Sequence, residues 1–197
     1  VVATLVGLPL GLLTGAYPRS WLALIVTPCS IALVSCPPVI GVLGLLFMAA
    51  STGWLSLAPG SLGVPLMALA APLAAMLERL QSQATRETLT SPDLVAAAAR
   101  GIPPSRLLWV HASRQSLRWV LGVYGLMIGS VFSGSLAVEM ITAWPGVGRL
   151  LYDALLSHDL FLVAGCALVG AALIAGGNVA ADVLRAVADP RVRASTS

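Results

Sequence analysis

The sequence predicts an all-α membrane protein, a polytopic bundle of about five transmembrane helices. Three observations carry that prediction. Of 197 residues, 58% are hydrophobic and 10% are charged, with a mean hydropathy of +0.93. Soluble domains carry about 25% charged residues. The charges are segregated, so that residues 1–18, 20–77, 119–138 and 161–181 carry none. Every one of the 11 basic residues is Arg, and ten of them fall in three separate segments. The same composition excludes other classes. A P-loop needs a Lys on the phosphates, and there is no Lys. A formal charge of +3, dispersed along the chain, does not indicate nucleic-acid binding. Cys29, Cys36 and Cys166 in apolar surroundings do not form a disulfide framework.

The first apolar stretch, 1–17, is slightly short for a span, which takes about 20 residues. It opens on Val1 with no charged n-region or cleavage site, so the chain is expected to begin inside a helix whose start precedes it. The charge-free 58 residues from Ser20 to Leu77 exceed one crossing and must hold two. The break is expected within Ser51–Ser61, where Gly53 and Pro59-Gly60 mark a turn and Trp54 suits an interface. This gives spans over 22–50 and 62–78. Pro28, Pro37 and Pro38 interrupt the former, as a kink that either lines a pathway or serves packing. Cys29 and Cys36, seven residues apart, are placed on one face of that helix as small buried hydrophobes. The fourth span is placed at 119–138 and the fifth at 161–184. Gly165, Gly170, Gly176 and Gly177 in the fifth allow close helix approach.

Arg placement orients the chain. Arg19, the segment 78–118 and the C-terminal tail share one side, which then holds Arg79, Arg86, Arg100, Arg106, Arg114, Arg118, Arg185, Arg191 and Arg193 as well. The other side holds Arg149 alone among the basic residues, with Glu139, Asp153 and Asp159. The positive-inside rule makes the first side, and with it the C-terminus, cytoplasmic.

The segment Ser91–Val120 is the most informative. Ser91 suits an N-cap, Pro92 the first helical position, and Asp93 the first turn. Ala96–Ala99 favour helix, Gly101 fits a left-handed C′ position, and Pro103-Pro104 prevent continuation. A short helix over about 92–100, outside the membrane, follows. A second helix is expected from near Ser105 into the fourth span. At 100° per residue it carries Arg106, Arg114 and Arg118 on one face, with Leu108, Ala112 and Trp119 opposite. Such a basic amphipathic entry can rest on anionic lipid or receive a partner protein. No metal site is predicted; His158-Asp159 reads as a solvated loop end. Serines 130, 133 and 135 lie in the fourth span with no His in any span, which argues against an intramembrane hydrolase. A channel or secondary transporter would carry ionisable groups near the midplane, and none is visible there.

Two motifs carry a family resemblance. Ala96-Ala97, then Arg100-Gly101, then His111-Ala112-x-Arg114, is similar to the cytoplasmic EAA loop of binding-protein-dependent importer permeases. Val95 stands where that motif has an acid, and Trp119 where a Pro is usual. The block Glu139–Leu155, with Trp144-Pro145-Gly146-x-Gly148-Arg149, resembles a block of the oligopeptide/dipeptide/nickel permeases, in the form of the first of their two permease subunits. Gly53–Ser61 and Ala188–Arg193 resemble that family's turn and ending.

The resemblance implies the type I ABC importer permease fold and a single permease domain over 1–197, with a coupling loop at 79–118 and an extracytoplasmic segment at 139–160. It also implies one more N-terminal span and an extracytoplasmic segment ahead of the first stretch. The implied function is a transmembrane subunit, not an enzyme, that moves small peptides by alternating access. Nickel chelates, glutathione or another small solute are alternatives, and a non-transporting membrane anchor is the alternative of another class. Implied partners are a second homologous permease, two ATPase subunits, an extracytoplasmic substrate-binding protein and membrane lipid. ATP and Mg²⁺ would sit on the ATPases, with no cofactor in this chain, and the location would be a bacterial inner membrane. The residues implied in ATPase coupling are Asp93, Val95, Ala96, Ala97, Arg100, Gly101, Ile102, Arg106 and His111. Those implied in an outer gate or binding-protein contact are Glu139, Trp144, Pro145, Gly146, Gly148 and Arg149, with Glu139 expected to pair with Arg149.

Overall fold

The computed structural model describes residues 1–53 and 61–188. The expected turn around Trp54 and the Asp189–Arg193 part of the C-terminal motif lie outside the described residues. All regular structure among the described residues is helical. The elements are α1 (Val2–Ala16), α2 (Trp21–Ser35), α3 (Pro38–Thr52), α4 (Gly63–Leu89), α5 (Pro92–Ala99) and α6 (Pro104–Arg106). A π-helical segment (Leu107–Ala112) follows, then α7 (Ser113–Leu121), α8 (Tyr124–Thr142), α9 (Val147–Leu156) and α10 (Leu160–Ala188).

Among the described residues, the charge-free stretches are largely helical, but not always as one helix. Among the described residues, Gly63–Leu89 and Leu160–Leu184 are each long and apolar enough to cross a membrane unaided. The 22–50 stretch is two helices and not the single span expected. Pro28 is accommodated inside α2, whereas Pro37 has φ −56° and ψ 139° and sits at the N-cap of α3. A residue before proline is driven out of the helical region. Cys36 and Pro37 both precede a proline, so the helix stops there. Cys36 therefore lies beyond the end of α2 and shares no helix with Cys29. Cys29 is exposed in this chain, Cys36 half-buried and Cys166 buried.

The chain divides into two compact units. The first comprises Val1–Val34, Pro72–Tyr124 and the described residues from Ala181. Its α1 lies on α4 along Gly7, Gly11 and Gly15, four residues apart and so on one helix face. A Cβ at Gly7 would stand 2.6 Å from the Ala74 carbonyl oxygen, at Gly11 2.6 Å from that of Glu78, and at Gly15 2.6 Å from that of Ser82. Only glycine permits this backbone approach, the device by which membrane helices pack tightly.

The same contact buries a polar seam of α4. The Thr14 hydroxyl donates to Glu78 Oε1 at 2.5 Å, and both residues are fully buried. Gln81 Nε2 donates to Ser116 Oγ at 2.7 Å and Thr85 Oγ1 at 3.2 Å, tying α4 to α7. Glu78 thus stands in the middle of α4, not at a helix end. The 78–118 segment opens as eleven further helical residues, 79–89. Leu12, Leu94, Leu108 and Ala112 form one apolar core cluster of this unit, with Leu89 against it.

The second unit comprises Ser35–Ala71 and Gly125–Ala180. Val42, Ala68 and Val138 make one core cluster in it. Phe132 lies against Gly170, and a Cβ at Gly177 would meet Ile128 at 2.6 Å, so α8 packs closely on α10 at these two glycines. Gly165 and Gly176 have nothing within 4 Å where a Cβ would stand.

Candidate functional site

Two clusters hold the residues singled out above, one in each unit. The first is built on α5. Leu94 and Ala97, three residues apart, face inward, and Leu94 packs in the core with Leu12, Leu108 and Ala112. The remaining face is left outward: Asp93, Val95, Ala96, Ala98, Ala99 and Arg100 are exposed. The helix ends as its punctuation predicts. Gly101 has φ +85°, its N–H reaches the Ala98 carbonyl at 2.9 Å, and Pro103 and Pro104 follow. The left-handed conformation costs a side-chain-bearing residue roughly 1–2 kcal/mol, and a Cβ at Gly101 would meet nothing within 4 Å.

The N-terminus of α5 differs from expectation. Ser91 occupies the N-cap with φ −66° and ψ 144°, but its hydroxyl makes no cap bond. Ser91 Oγ is buried and finds no hydrogen-bond partner among the described residues. Replacing a working N-cap Ser with Ala costs about 1 kcal/mol. Here Ser91→Ala is expected to be neutral or slightly stabilising in thermal unfolding, because it removes an unsatisfied hydroxyl. A loss of a full kcal/mol would restore the cap.

Beyond Pro104 the helix is not regular. Leu107–Ala112 is π-helical. A π turn takes in one residue more than an α turn, which rotates all that follows by about 100°. Leu108 and Ala112 are buried, as the helical wheel places them. The next buried positions are Ser116 and Val120 (2% exposed), while Trp119 is 75% exposed. Trp119 is therefore corrected from the inner to the outer face, because the extra residue hands its position to Val120.

A groove of about 400 Å³ runs between α5 and this bent helix. Asp93, Ala97, Arg100 and Ile102 line one wall, and His111, Arg114 and Arg118 the other. Val95, Ala96 and Gly101 lie outside the groove, on α5 and its turn. Arg106 is exposed at the end of α6 and does not join it.

The second cluster is the turn from α8 to α9. Thr142 ends α8, Ala143 follows with φ +53°, and the Trp144 N–H reaches back to the Glu139 carbonyl at 3.0 Å. This six-to-one bond with a left-handed residue is a Schellman stop. Pro145 and Gly146 complete the turn, and α9 leaves at 72° to the line of α8. Gly146 is the N-cap of α9 and offers no side chain. Glu139 supplies the cap instead: its Oε2 accepts from the Gly148 N–H at 2.7 Å and the Arg149 N–H at 3.2 Å. A carboxylate at a helix N-terminus also meets the positive end of the dipole. The expected pairing with Arg149 is thus made through the backbone. Its guanidinium donates to the Ala143 carbonyl at 2.7 Å and braces the same turn.

Tight spacing explains the glycines. A Cβ at Gly146 would run into the Glu139 carboxyl, and one at Gly148 would stand 2.6 Å from Leu136 Cα. His158 and Asp159 form the next helix junction. His158 has φ +57°, and Asp159 Oδ1 accepts from the Leu162 N–H at 3.0 Å, capping α10.

Apolar helices long enough to cross a membrane, with a short polar-flanked helix and a braced helix turn between them, define an integral membrane protein. The chain belongs to the binding-protein-dependent transport system inner membrane component family, which it matches over residues 7–194. It is a bacterial membrane protein. It is 36% identical over 119 residues to the di/tripeptide transport system permease protein of Pseudomonas aeruginosa, covering 60% of this chain and 35% of that protein. It is 34% identical over 129 residues to the oligopeptide transport system permease protein of Bacillus subtilis, covering 66% and 41%. The dipeptide transport system permease protein of Haemophilus influenzae is 33% identical over 133 residues, covering 68% and 40%. The aligned part is less than half the length of each of these three relatives.

Proposed function

We propose that this chain is part of the permease of an ATP-driven importer for small peptides. It forms the translocation path with a second homologous permease. Two ATPase subunits hold ATP and Mg²⁺ and drive alternating access, and a substrate-binding protein delivers the cargo. The chain itself catalyses no reaction. The C-terminus is on the cytoplasmic side, where α5 docks on an ATPase as the coupling helix. Asp93, Val95, Ala96 and Arg100 meet the partner, Gly101 sets the turn, and Ala97, Ile102, Arg106 and His111 shape the surroundings. The α8–α9 turn faces the opposite side as gate or binding-protein contact, through Trp144, Pro145 and Arg149, held by Glu139, Gly146 and Gly148.

One observation supports this most: α5 is anchored by its inward face while its small-residue face stays open. Rigid anchoring lets a push on α5 reach α1, α4 and the π-helical segment, as a ligand-driven transition requires. The test uses the assembled complex in proteoliposomes with Gly101→Val and Gly101→Asn. A cost of roughly 1–2 kcal/mol for the left-handed turn lowers its population by about 5–30-fold. Dipeptide uptake is expected to fall by about that factor with Val. Asn tolerates this conformation and is expected to keep most of the uptake. Undiminished ATP-coupled uptake by Gly101→Val would remove the coupling assignment. Uptake of a nickel chelate or glutathione in place of peptide would change the cargo and keep the architecture.

A further inference from the structure

We infer that the groove beside α5 binds the phosphate of an anionic phospholipid headgroup. Arg100, Arg114 and Arg118 line the groove together with His111, and Asp93 is the one acid among the lining residues. Arg presents a planar fork of donors that matches phosphate oxygens. The two walls bring these groups together from separate elements, Arg100 from the end of α5 and the others from the bent helix. Leu94, Ile102 and Val110 supply apolar surface in the same groove. Its volume of about 400 Å³ is within the range of small-molecule sites, about 300–1,000 Å³.

Flanking residues identify the source of the phosphate. Trp109 is 54% exposed and Trp119 75% exposed, on either side of Arg114 in sequence. Val110, in the groove wall, is 52% exposed. Trp is enriched at headgroup level in membrane proteins, and Arg near an anionic membrane surface is attracted to its lipids. The π segment creates this arrangement, since the rotation it imposes turns Trp119 outward. The inference rests on family membership and on α5 lying outside the lipid core; because Arg100 is given to the ATPase contact in the proposed function, Arg114 is the residue that carries the phosphate.

The test is lipid retention by the purified importer complex, measured by native mass spectrometry after reconstitution in phosphatidylglycerol or phosphatidylcholine. No nucleotide or uptake is involved, so the result is separate from the Gly101 experiment. Phosphatidylglycerol is expected to be retained in preference to phosphatidylcholine. Arg114→Gln is expected to cut that retention roughly fivefold, the equivalent of about 1 kcal/mol per basic residue at an anionic surface. Arg114 is exposed, so folding is not at stake, and Arg114→Lys is expected to restore most of the retention. Three results would overturn the proposal. One is equal retention of the two lipids by the unsubstituted complex. Another is displacement of phosphatidylglycerol by millimolar inorganic phosphate, which marks a free-anion site. The third is loss of ATPase subunits from Arg114→Gln with lipid retention unchanged, which assigns the groove to an acidic partner surface.

Discussion

Gly11→Ala is expected to destabilise the protein by roughly 3–5 kcal/mol, an effect far beyond an ordinary glycine substitution in a helix. The added methyl would stand 2.6 Å from the Glu78 carbonyl oxygen and 2.6 Å from Gln81 Cβ. Neither is the movable end of a side chain, so α1 has to back away from α4. Overpacking of this kind costs about 1–3 kcal/mol. Thr14 lies three residues further along the same helix face and would be drawn off Glu78. A hydrogen bond to an ionisable group contributes about 1.5–3 kcal/mol, and leaving its buried partner bare adds to the loss. Gly165→Ala and Gly176→Ala are the controls, because their methyls meet nothing within 4 Å in this chain. Ala is the better helix former by about 0.8–1.0 kcal/mol, so these two are expected to be neutral or stabilising. Thermal unfolding of the detergent-solubilised protein checks the contrast. Equal midpoints for Gly11→Ala and Gly165→Ala would show that α1 does not lie on α4 in this way.

Where sequence reasoning succeeded, one physical cause dominated locally. Charges cannot cross lipid cheaply, so charge-free stretches mark the apolar helices. Pro92 at the first helical position and Gly101 with Pro103-Pro104 act within a single turn of backbone, and the helix they bound, about 92–100, is observed as Pro92–Ala99, although Ser91 does not supply the expected cap bond. Reasoning failed where a tertiary partner decided. Periodicity at 100° per residue assumes an unbroken helix, and the π segment at Leu107–Ala112 breaks that assumption. Only then does Val120, and not Trp119, turn inward. The charge pattern treated Glu78 as the edge of a span, yet α1 provides both the burial and the Thr14 hydroxyl that let it sit mid-helix. A signal was present in that case. Gly7, Gly11 and Gly15 recur every four residues within an apolar run, a pattern of close helix packing. The Glu139–Arg149 proximity was legible, but its form was not. A capless Gly146 needs an outside acceptor for the α9 N–H groups, and the nearest carboxylate serves that end before the guanidinium.

Glu139 is the keystone of the α8–α9 turn, and its removal is expected to have the second large effect. Glu139→Ala leaves the Gly148 and Arg149 N–H groups without their acceptor and removes a charge from the start of α9. Two charge-assisted bonds at about 1.5–3 kcal/mol each set the scale, discounted because Arg149 is exposed and water can take its N–H. A loss of roughly 2–4 kcal/mol in thermal unfolding is expected. A double-mutant comparison separates this role from general packing. In the native turn, the methyl of Gly146→Ala displaces the Glu139 carboxyl and breaks its bonds to the Gly148 and Arg149 N–H groups, so Gly146→Ala alone is expected to be costly. With Glu139→Ala already present that carboxyl is gone, and adding Gly146→Ala should cost little. Gly148→Ala is different, because its methyl meets Leu136 Cα at 2.6 Å, a backbone atom that the Glu139 substitution does not move. Its cost should therefore persist in both backgrounds. Additive costs for Glu139→Ala and Gly146→Ala would mean that the carboxylate does not occupy the space over the α9 N-terminus, and the turn would need another brace.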